Sequence, residues 1–293
     1  MAFFQKSISW ISYPDRYMTL DLPTLQILEV NKLAVHEWHD RQRTPPLIAR
    51  LRSSGFFRNP VIVTPFPDGS GRYMVLDGAN RTTALSNMGL PHVIAQVVES
   101  ESPNLDLKTW NHVLWGLEAQ TLLDEIKNID KLEMTASDKD LVKEWKKQAI
   151  TWVQIKNGDA YAGRMKSQKI AAKVKMLNRI VDSYKNLAKM DRTRAKTVGE
   201  LNNLYEDLCA IVVFPPFEIS DVFELCSAGM LLPAGITRFT ISPRALRVNY
   251  PLDALAAEKS LAEKNLALER WIQERVARKG VRVYSEATVL FDE

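Results

Sequence analysis

Cysteine is scarce in this chain, with two residues in 293, Cys209 and Cys226, both set among apolar neighbours. That excludes a disulfide framework and fits reduced, buried thiols in a cytosolic protein. No Cys/His cluster has the spacing of a zinc site. No apolar run approaches the roughly 20 residues that span a bilayer. The N-terminal MAFFQKSISW lacks the positively charged start and long apolar core of a signal peptide. The expectation is a cytoplasmic protein with no membrane partner. A Gly-x-x-x-x-Gly-Lys-Ser/Thr phosphate loop is also missing, which argues against P-loop chemistry. Internal repeats, low-complexity tracts and Gly/Ser linkers are absent as well.

What is present is an ordinary globular composition, 46% hydrophobic and 25% charged. A chain of this length buries a substantial core in one or two domains. The net charge is only +4, from 39 basic and 35 acidic residues, so it names no partner. Its distribution says more. Between Arg164 and Lys196, eleven Lys/Arg stand against Asp182 and Asp191, giving that window +9 and the remainder −5. Such a block attracts phosphates or is the solvated face of a helix.

Along the chain, residues 20–35 read as strand and loop. Thr44-Pro45 starts a helix that Gly55 closes, with Leu47, Ile48 and Leu51 on one face. Asn59-Pro60 leads into the strand VIVT (61–64), and Pro67–Gly71 has hairpin-turn chemistry returning the chain into YMVLD (73–77). A helix from about Ala79 ends at Gly89, and HVIAQVVE (92–99) is a further strand. The pattern from Leu105 to about Asn157 reads as helical, with tryptophans at 110, 115, 145 and 152. Asp159 to Thr193 reads as a second helical stretch whose buried stripe runs from Ile170 to Tyr184. AIVVFPPF (210–217) is strand plus turn, ISDVFELCSAGM (219–230) helix, FTISP (239–243) strand, Ala256–Arg278 an amphipathic helix and VRVYSEATVLF (281–291) a strand. The expected class is α/β (α+β), with one part over 1–104 and a closely packed helical and α/β part over 105–293.

The corner at Asp77–Thr83, DGANRTT, concentrates chemistry where a strand meets a helix. A helix N-terminus offers free N–H groups and a positive dipole end, and so holds anions, phosphate above all. Gly78 lets a ligand approach the backbone, Arg81 adds a bidentate donor, and Thr82 and Thr83 add hydroxyls. Asp77 holds a divalent cation, caps the helix or fixes Arg81. The plainer reading is an N-cap aspartate beside a surface arginine.

Three segments make the corner more specific: Val35-His36-Glu37, GFFRNPVIV (55–63) and YMVLDGANRTTAL (73–85). Together they resemble the ParB/sulfiredoxin-like fold, which builds a nucleotide phosphate site from such pieces. Trp110-Asn111-His112, VVFPPF (212–217) and LLPAGITRFTISPRALRVNYPLDAL (231–255) narrow the resemblance to the free L-serine kinases. It runs over most of the chain and is weakest across 120–200. Sulfiredoxin chemistry would need a reactive cysteine beside the corner, and residues 1–208 contain none.

The resemblance implies phosphoryl transfer from ATP or ADP, with Mg²⁺, to the hydroxyl of free L-serine. Glu37 is then the candidate base and Asp77 a second catalytic residue, also the candidate metal ligand. Gly78, Ala79, Asn80, Arg81 and Thr82 would hold the nucleotide phosphates. Trp110, Thr237 and Arg238 would bind the substrate, with Arg244 and Arg247 as phosphate neighbours. His36, His39 and Asp40 crowd around Glu37 and are the alternatives to it. One departure stands out: Ala79 and Asn80 occupy the places of two histidines usual in the family. Backbone amides and Arg81 survive that change. The competing class is a ParB-like nucleotide- or DNA-binding regulator, which the basic 164–196 segment favours. Against it, those basic residues flank an apolar stripe without a turn between two short helices.

Overall fold

The run Val61-Ile62-Val63 is apolar on every residue because its strand is buried on both faces. In the protein, described here by a computed structural model over residues 22–137, 140–201 and 204–284, Val61 and Val63 face one hydrophobic core while Ile62 faces another. The period-2 alternation of a strand makes that division, so one unbroken apolar segment joins two cores.

The chain opens with β1 (Leu25–Glu29) and β2 (Leu33–Val35), then helix α1 (Thr44–Ser54), the short β3 (Phe56–Phe57), β4 (Val61–Pro65) and β5 (Tyr73–Asp77). Helix α2 (Ala79–Asn87) and β6 (His92–Val97) complete this part. Its five strands lie in the order β1-β6-β4-β5-β2, with β2 parallel to β5 and β4 parallel to β6. As the glycines and prolines predict, α1 ends at Gly55 with φ +70° and α2 is followed by Gly89 with φ +72°.

Beyond residue 104 the structure departs from the sequence reading. The span 105–157 is not continuous helix. It holds β7 (Leu105–Thr109), β8 (Asn111–Trp115), α3 (Ala119–Lys127), β9 (Glu133–Ala136), α4 (Leu141–Lys146) and β10 (Thr151–Ile155). Likewise 159–193 contains β11 (Ala160–Arg164), the helix α5 (Ile170–Tyr184) and β12 (Lys189–Thr193). Short apolar runs such as NHVLW and TWVQI carry no period that tells a buried strand from a helix. Trp152, expected in a helix, is fully buried in β10. The hairpin between β10 and β11 turns on Asn157-Gly158, with Gly158 at φ +90°.

The remaining elements are β13 (Leu208–Val213), α6 (Ile219–Ser227), β14 (Thr237–Ile241), β15 (Tyr250–Pro251), α7 (Leu252–Ala256) and α8 (Leu261–Ala277). A six-stranded, wholly antiparallel sheet runs β12-β8-β13-β10-β11-β9. β14 pairs with β7, and β15 with β3. Of the expected strand at 281–291, residues 281–284 are irregular and the rest lie outside the described residues. The mixed α/β class is the one expected.

Both cores cross residue 105. Ile62, Met74 and Leu76 pack with Leu114, Leu177 and Val212, whereas Leu252, Leu255 and Leu268 from the C-terminal end cover the other face of the first sheet. Cys209 and Cys226 are free and buried, and burial pushes both thiols up to about 11. Among the described residues no helix is long and apolar enough to cross a membrane.

Candidate active site

Residues His36–Trp38 leave the end of β2 and run alongside Leu232. Leu232 donates its N–H to His36 O (2.9 Å), and Trp38 donates to Leu232 O (3.0 Å). This parallel bridge sets Glu37 against the loop Pro233–Thr237. Glu37 Oε2 accepts from the Gly235 N–H and lies 3.0 Å from Thr237 Oγ1. Among the described residues its other oxygen carries no hydrogen bond.

Behind Glu37, His36 is almost wholly buried. Its Nδ1 lies 2.7 Å from Val75 O and its Nε2 lies 2.8 Å from Thr237 Oγ1. A carbonyl only accepts, so the His36 proton sits on Nδ1. Burial holds the imidazole below its ordinary pKa, although Glu37 and Asp77 pull the other way. In the neutral ring Nε2 is an acceptor, 2.8 Å from Thr237 Oγ1. The Thr237 hydroxyl donates to Glu37 Oε2, so one side-chain proton lies between two acceptors, the carboxylate and the imidazole.

The other sequence candidates near Glu37 do different work. Asp40 pairs with Arg43 at 3.2 Å and accepts from the Gln42 N–H, which closes the turn into α1. Trp110 and Arg238 pair with each other, the guanidinium 4.8 Å from the ring centroid. Thr237 and Arg238 are adjacent on β14, so their side chains leave opposite faces. Thr237 meets Glu37; Arg238 lies on Trp110.

At the second corner, Gly78 caps α2 with φ +114° and ψ 27°. A Cβ there would sit 2.9 Å from Val61 Cγ1 and 3.2 Å from Arg81 Nη2, so packing as well as backbone conformation requires glycine. Arg81 donates to the carbonyls of Asn59 (2.9 Å) and Pro60 (2.6 Å) and to Asp77 Oδ2 (3.0 Å). Asp77 Oδ2 also accepts from Arg244. Burial works to raise the Asp77 pKa, but the two guanidinium groups outweigh it and hold the carboxyl below its usual range.

Gln96 delivers Arg244 to this corner. Its buried amide donates to Pro243 O and accepts from the Ala245 N–H, both at 2.9 Å. The Arg247 N–H donates to Asn59 Oδ1 at 2.7 Å, which ties the same segment down. Thr82 is buried with its hydroxyl turned inward and without a hydrogen-bond partner, and Asn80 Oδ1 is likewise buried and unpartnered. The first-turn amides of α2, at Ala79, Asn80 and Arg81, are those that a helix start leaves unused. Among the described residues no three His, Cys, Asp or Glu side chains cluster as a metal site.

No family model matches the chain. It is 25% identical to the ATP-dependent L-serine kinase SbnI of Staphylococcus aureus over 270 residues, 92% of this chain and 97% of that protein. It is 28% identical to the ATP-dependent L-serine kinase of Staphylothermus marinus over 236 residues, 78% and 90% of the respective chains. Among solved structures, C-terminally truncated SbnI from Staphylococcus aureus superposes with TM-score 0.68 at 22% identity, covering 87% of this chain and 97% of that one. A free serine kinase in complex with AMP superposes with TM-score 0.68 at 16% identity, covering 80% and 96%. The chain thus has the fold of the free serine kinases, and its sequence is similar to ATP-dependent L-serine kinases along nearly its whole length.

Proposed function

We propose that this protein is a cytoplasmic kinase that transfers the γ-phosphoryl group of ATP to the hydroxyl of free L-serine, giving O-phospho-L-serine and ADP. The observation that carries the reading is Glu37, a carboxylate held by the Gly235 N–H and beside Thr237 in a loop that also contains the GITR segment. Its similarity to ATP-dependent L-serine kinases supports ATP over ADP as donor.

In this reading the Glu37 carboxylate takes the serine proton as the hydroxyl oxygen attacks phosphorus. Glu37 Oε2 is held by the Gly235 N–H and the Thr237 hydroxyl, so among the described residues Oε1 is the oxygen left to receive the proton. His36 and Thr237 position Glu37; neither needs to touch the phosphoryl group.

The nucleotide phosphates lie at the α2 start, where the amides of Ala79 and Asn80 and the charges of Arg81 and Arg244 converge. The first sheet with α2 is the nucleotide-binding part, and the segment beyond residue 105 brings Thr237 beside Glu37 for the serine site, whereas Trp110 and Arg238 pair on the opposite face of β14. Mg²⁺ fits this corner as a companion of the phosphates: Asp77 is a carboxylate there, and Mg²⁺ is commonly held by one or two carboxylates plus substrate phosphates. When bound, it offsets charge on the transferred group.

The ParB-like DNA-binding alternative loses its main support. The basic block is spread over β11, α5 and β12, and α5 is one uninterrupted helix with a buried stripe, not a helix-turn-helix. The direct test is incubation of the pure protein with L-serine, Mg²⁺ and ATP, with detection of O-phosphoserine. Phosphate appearing only on protein serines, with free serine inert, would sink the assignment.

A further inference from the structure

Residues 242–249, which connect β14 to β15, form neither helix nor strand, so side-chain contacts decide where this segment lies. The buried Gln96 amide holds it on both sides of Arg244, donating to Pro243 O and accepting from the Ala245 N–H, each at 2.9 Å. Further on, Asn59 Oδ1 accepts from the Arg247 N–H at 2.7 Å, and Arg58 O accepts from the Asn249 N–H at 3.0 Å. The backbone is thus pinned at every second residue from 243 to 249, while the Arg244 and Leu246 side chains between the pins are exposed.

The first sheet sets Gln96 and Asp77 in one row. Ile62 on β4 is paired with Gln96 on one side and with Asp77 on the other, so the two polar residues lie two strand spacings apart, about 10 Å. A β-bulge makes the row: Ile62 faces Asp77 and Val63 faces Val75, with Leu76 the extra residue. Bulges of this kind re-aim a side chain. Arg244, held at the Gln96 end, reaches Asp77 Oδ2, which also accepts from Arg81. Two guanidinium groups on one carboxylate leave a net positive charge at the corner. Arg81 also spends donors on the Asn59 and Pro60 carbonyls, and its side chain is 18% exposed against 39% for Arg244. Among the described residues Asp77 is the one hydrogen-bond partner of the Arg244 guanidinium, which offers several N–H donors. Arg244 is therefore the cation with donors to spare.

We propose that Gln96 is a positioning residue for nucleotide binding: by holding the main chain on both sides of Arg244 it presents that guanidinium to the phosphates at the start of α2. The inference rests on the reading that the nucleotide phosphates lie there, and deepens it. Gln96 acts through Arg244 and touches no ligand itself. It fixes the backbone end of the arginine, and Asp77 orients the guanidinium end. A cation set in place beforehand binds an anion without first ordering a loop, which is the advantage of preorganisation. A purely structural Gln96 predicts something else, since two lost buried hydrogen bonds weaken the fold whether or not Arg244 is present.

The test is a double-mutant cycle on the full chain, read by titration with ATP and Mg²⁺. Gln96→Met keeps the length of the side chain and loses both hydrogen bonds. It should raise the dissociation constant for ATP roughly tenfold, towards that of Arg244→Ala, as a charge-assisted contact is lost. The KM for L-serine should stay near wild type. In the Arg244→Ala background, Gln96→Met should change ATP affinity by no more than about twofold, because its effect passes through the missing guanidinium. Unchanged ATP affinity in Gln96→Met, or two effects that multiply in the double variant, would overturn the positioning role. Gln96→Asn, which keeps the amide one methylene short, takes the place of the methionine variant in the cycle should that variant not fold. If the wild type binds ATP but makes no O-phosphoserine, the kinase reading falls and the cycle still decides for or against Gln96. A wild type that binds no nucleotide overturns both.

Discussion

Thr237 Oγ1 lies 3.0 Å from Glu37 Oε2, though 200 positions of sequence separate the two residues. The threonine hydroxyl donates to the carboxylate, with His36 Nε2 2.8 Å from the same hydroxyl oxygen. The Gly235 N–H donates to Oε2 as well, so among the described residues Oε1 is the free edge of the carboxylate.

Glu37→Gln keeps the shape of that side chain and removes its basicity. Turnover of L-serine should fall roughly a hundred- to ten-thousandfold. ATP affinity should remain near wild type, because the corner at Gly78–Thr83 is untouched. Near-normal turnover in the folded variant would exclude Glu37 as the base.

Thr237→Val removes the hydroxyl and leaves His36 Nε2 buried without a partner. The variant should lose about 1–3 kcal/mol of stability, the cost of an unsatisfied buried group, and turnover should fall with it. Thr237→Ser should restore both. Equal behaviour of the valine and serine variants in denaturation and turnover would show that the hydroxyl plays no part.

Arg81→Ala should weaken nucleotide binding by about 1.5–3 kcal/mol, the range for a hydrogen bond to a charged group. It should also destabilise the fold, because Arg81 holds the Asn59 and Pro60 carbonyls and Asp77. Arg244→Ala removes a more exposed partner of Asp77, whose own side chain is 37% exposed, so its effect on stability should be small. Nucleotide titration and denaturation of both variants separate the two roles. Unchanged affinity in folded Arg81→Ala would remove Arg81 from the phosphate site.

His112 provides a pH signature. Burial pushes its pKa down to about 3, Arg192 adds to the shift and the Gly235 carbonyl opposes it. The unfolded ring titrates near its ordinary 6.5. Between those values the unfolded chain binds a proton that the folded chain refuses, so stability is complete above the unfolded pKa and declines as pH falls. The His112 contribution at pH 5 is a loss of about 2 kcal/mol relative to neutral pH. His36 shifts in the same direction, so the comparison must be with His112→Gln, not with pH alone. Chemical denaturation at pH 7 and pH 5 should show a smaller pH effect in the variant. An equal effect in both proteins would mean that His112 does not titrate in this way.

Local chemistry was legible wherever it acts over a few residues. Thr44-Pro45 and Gly55 bound α1, Pro67–Gly71 turns the β4–β5 hairpin, and Asp77-Gly78 ends a strand where a helix begins. These features follow from backbone conformations that glycine and proline favour, and tertiary contacts do not alter them. The span 105–157 was misread because its short apolar runs owe their burial to partners far along the chain: β8 lies between β12 and β13, and β10 between β11 and β13. The Asn157-Gly158 turn was a usable local signal inside it.

The same division holds at the candidate site. Sequence resemblance nominated Glu37, Asp77 and Arg81 as individual residues, but it did not say what they touch. Only tertiary structure set Glu37 beside Gly235 and Thr237, turned Thr237 and Arg238 to opposite faces, and joined Asp77 to Arg244. It also brought Arg192, one cation among eleven in a basic block, against Gly235. Sequence determines which groups are available. Strand pairing between distant segments decides which of them meet, because a hydrogen bond or ion pair acts over a few ångströms of space whatever the separation along the chain.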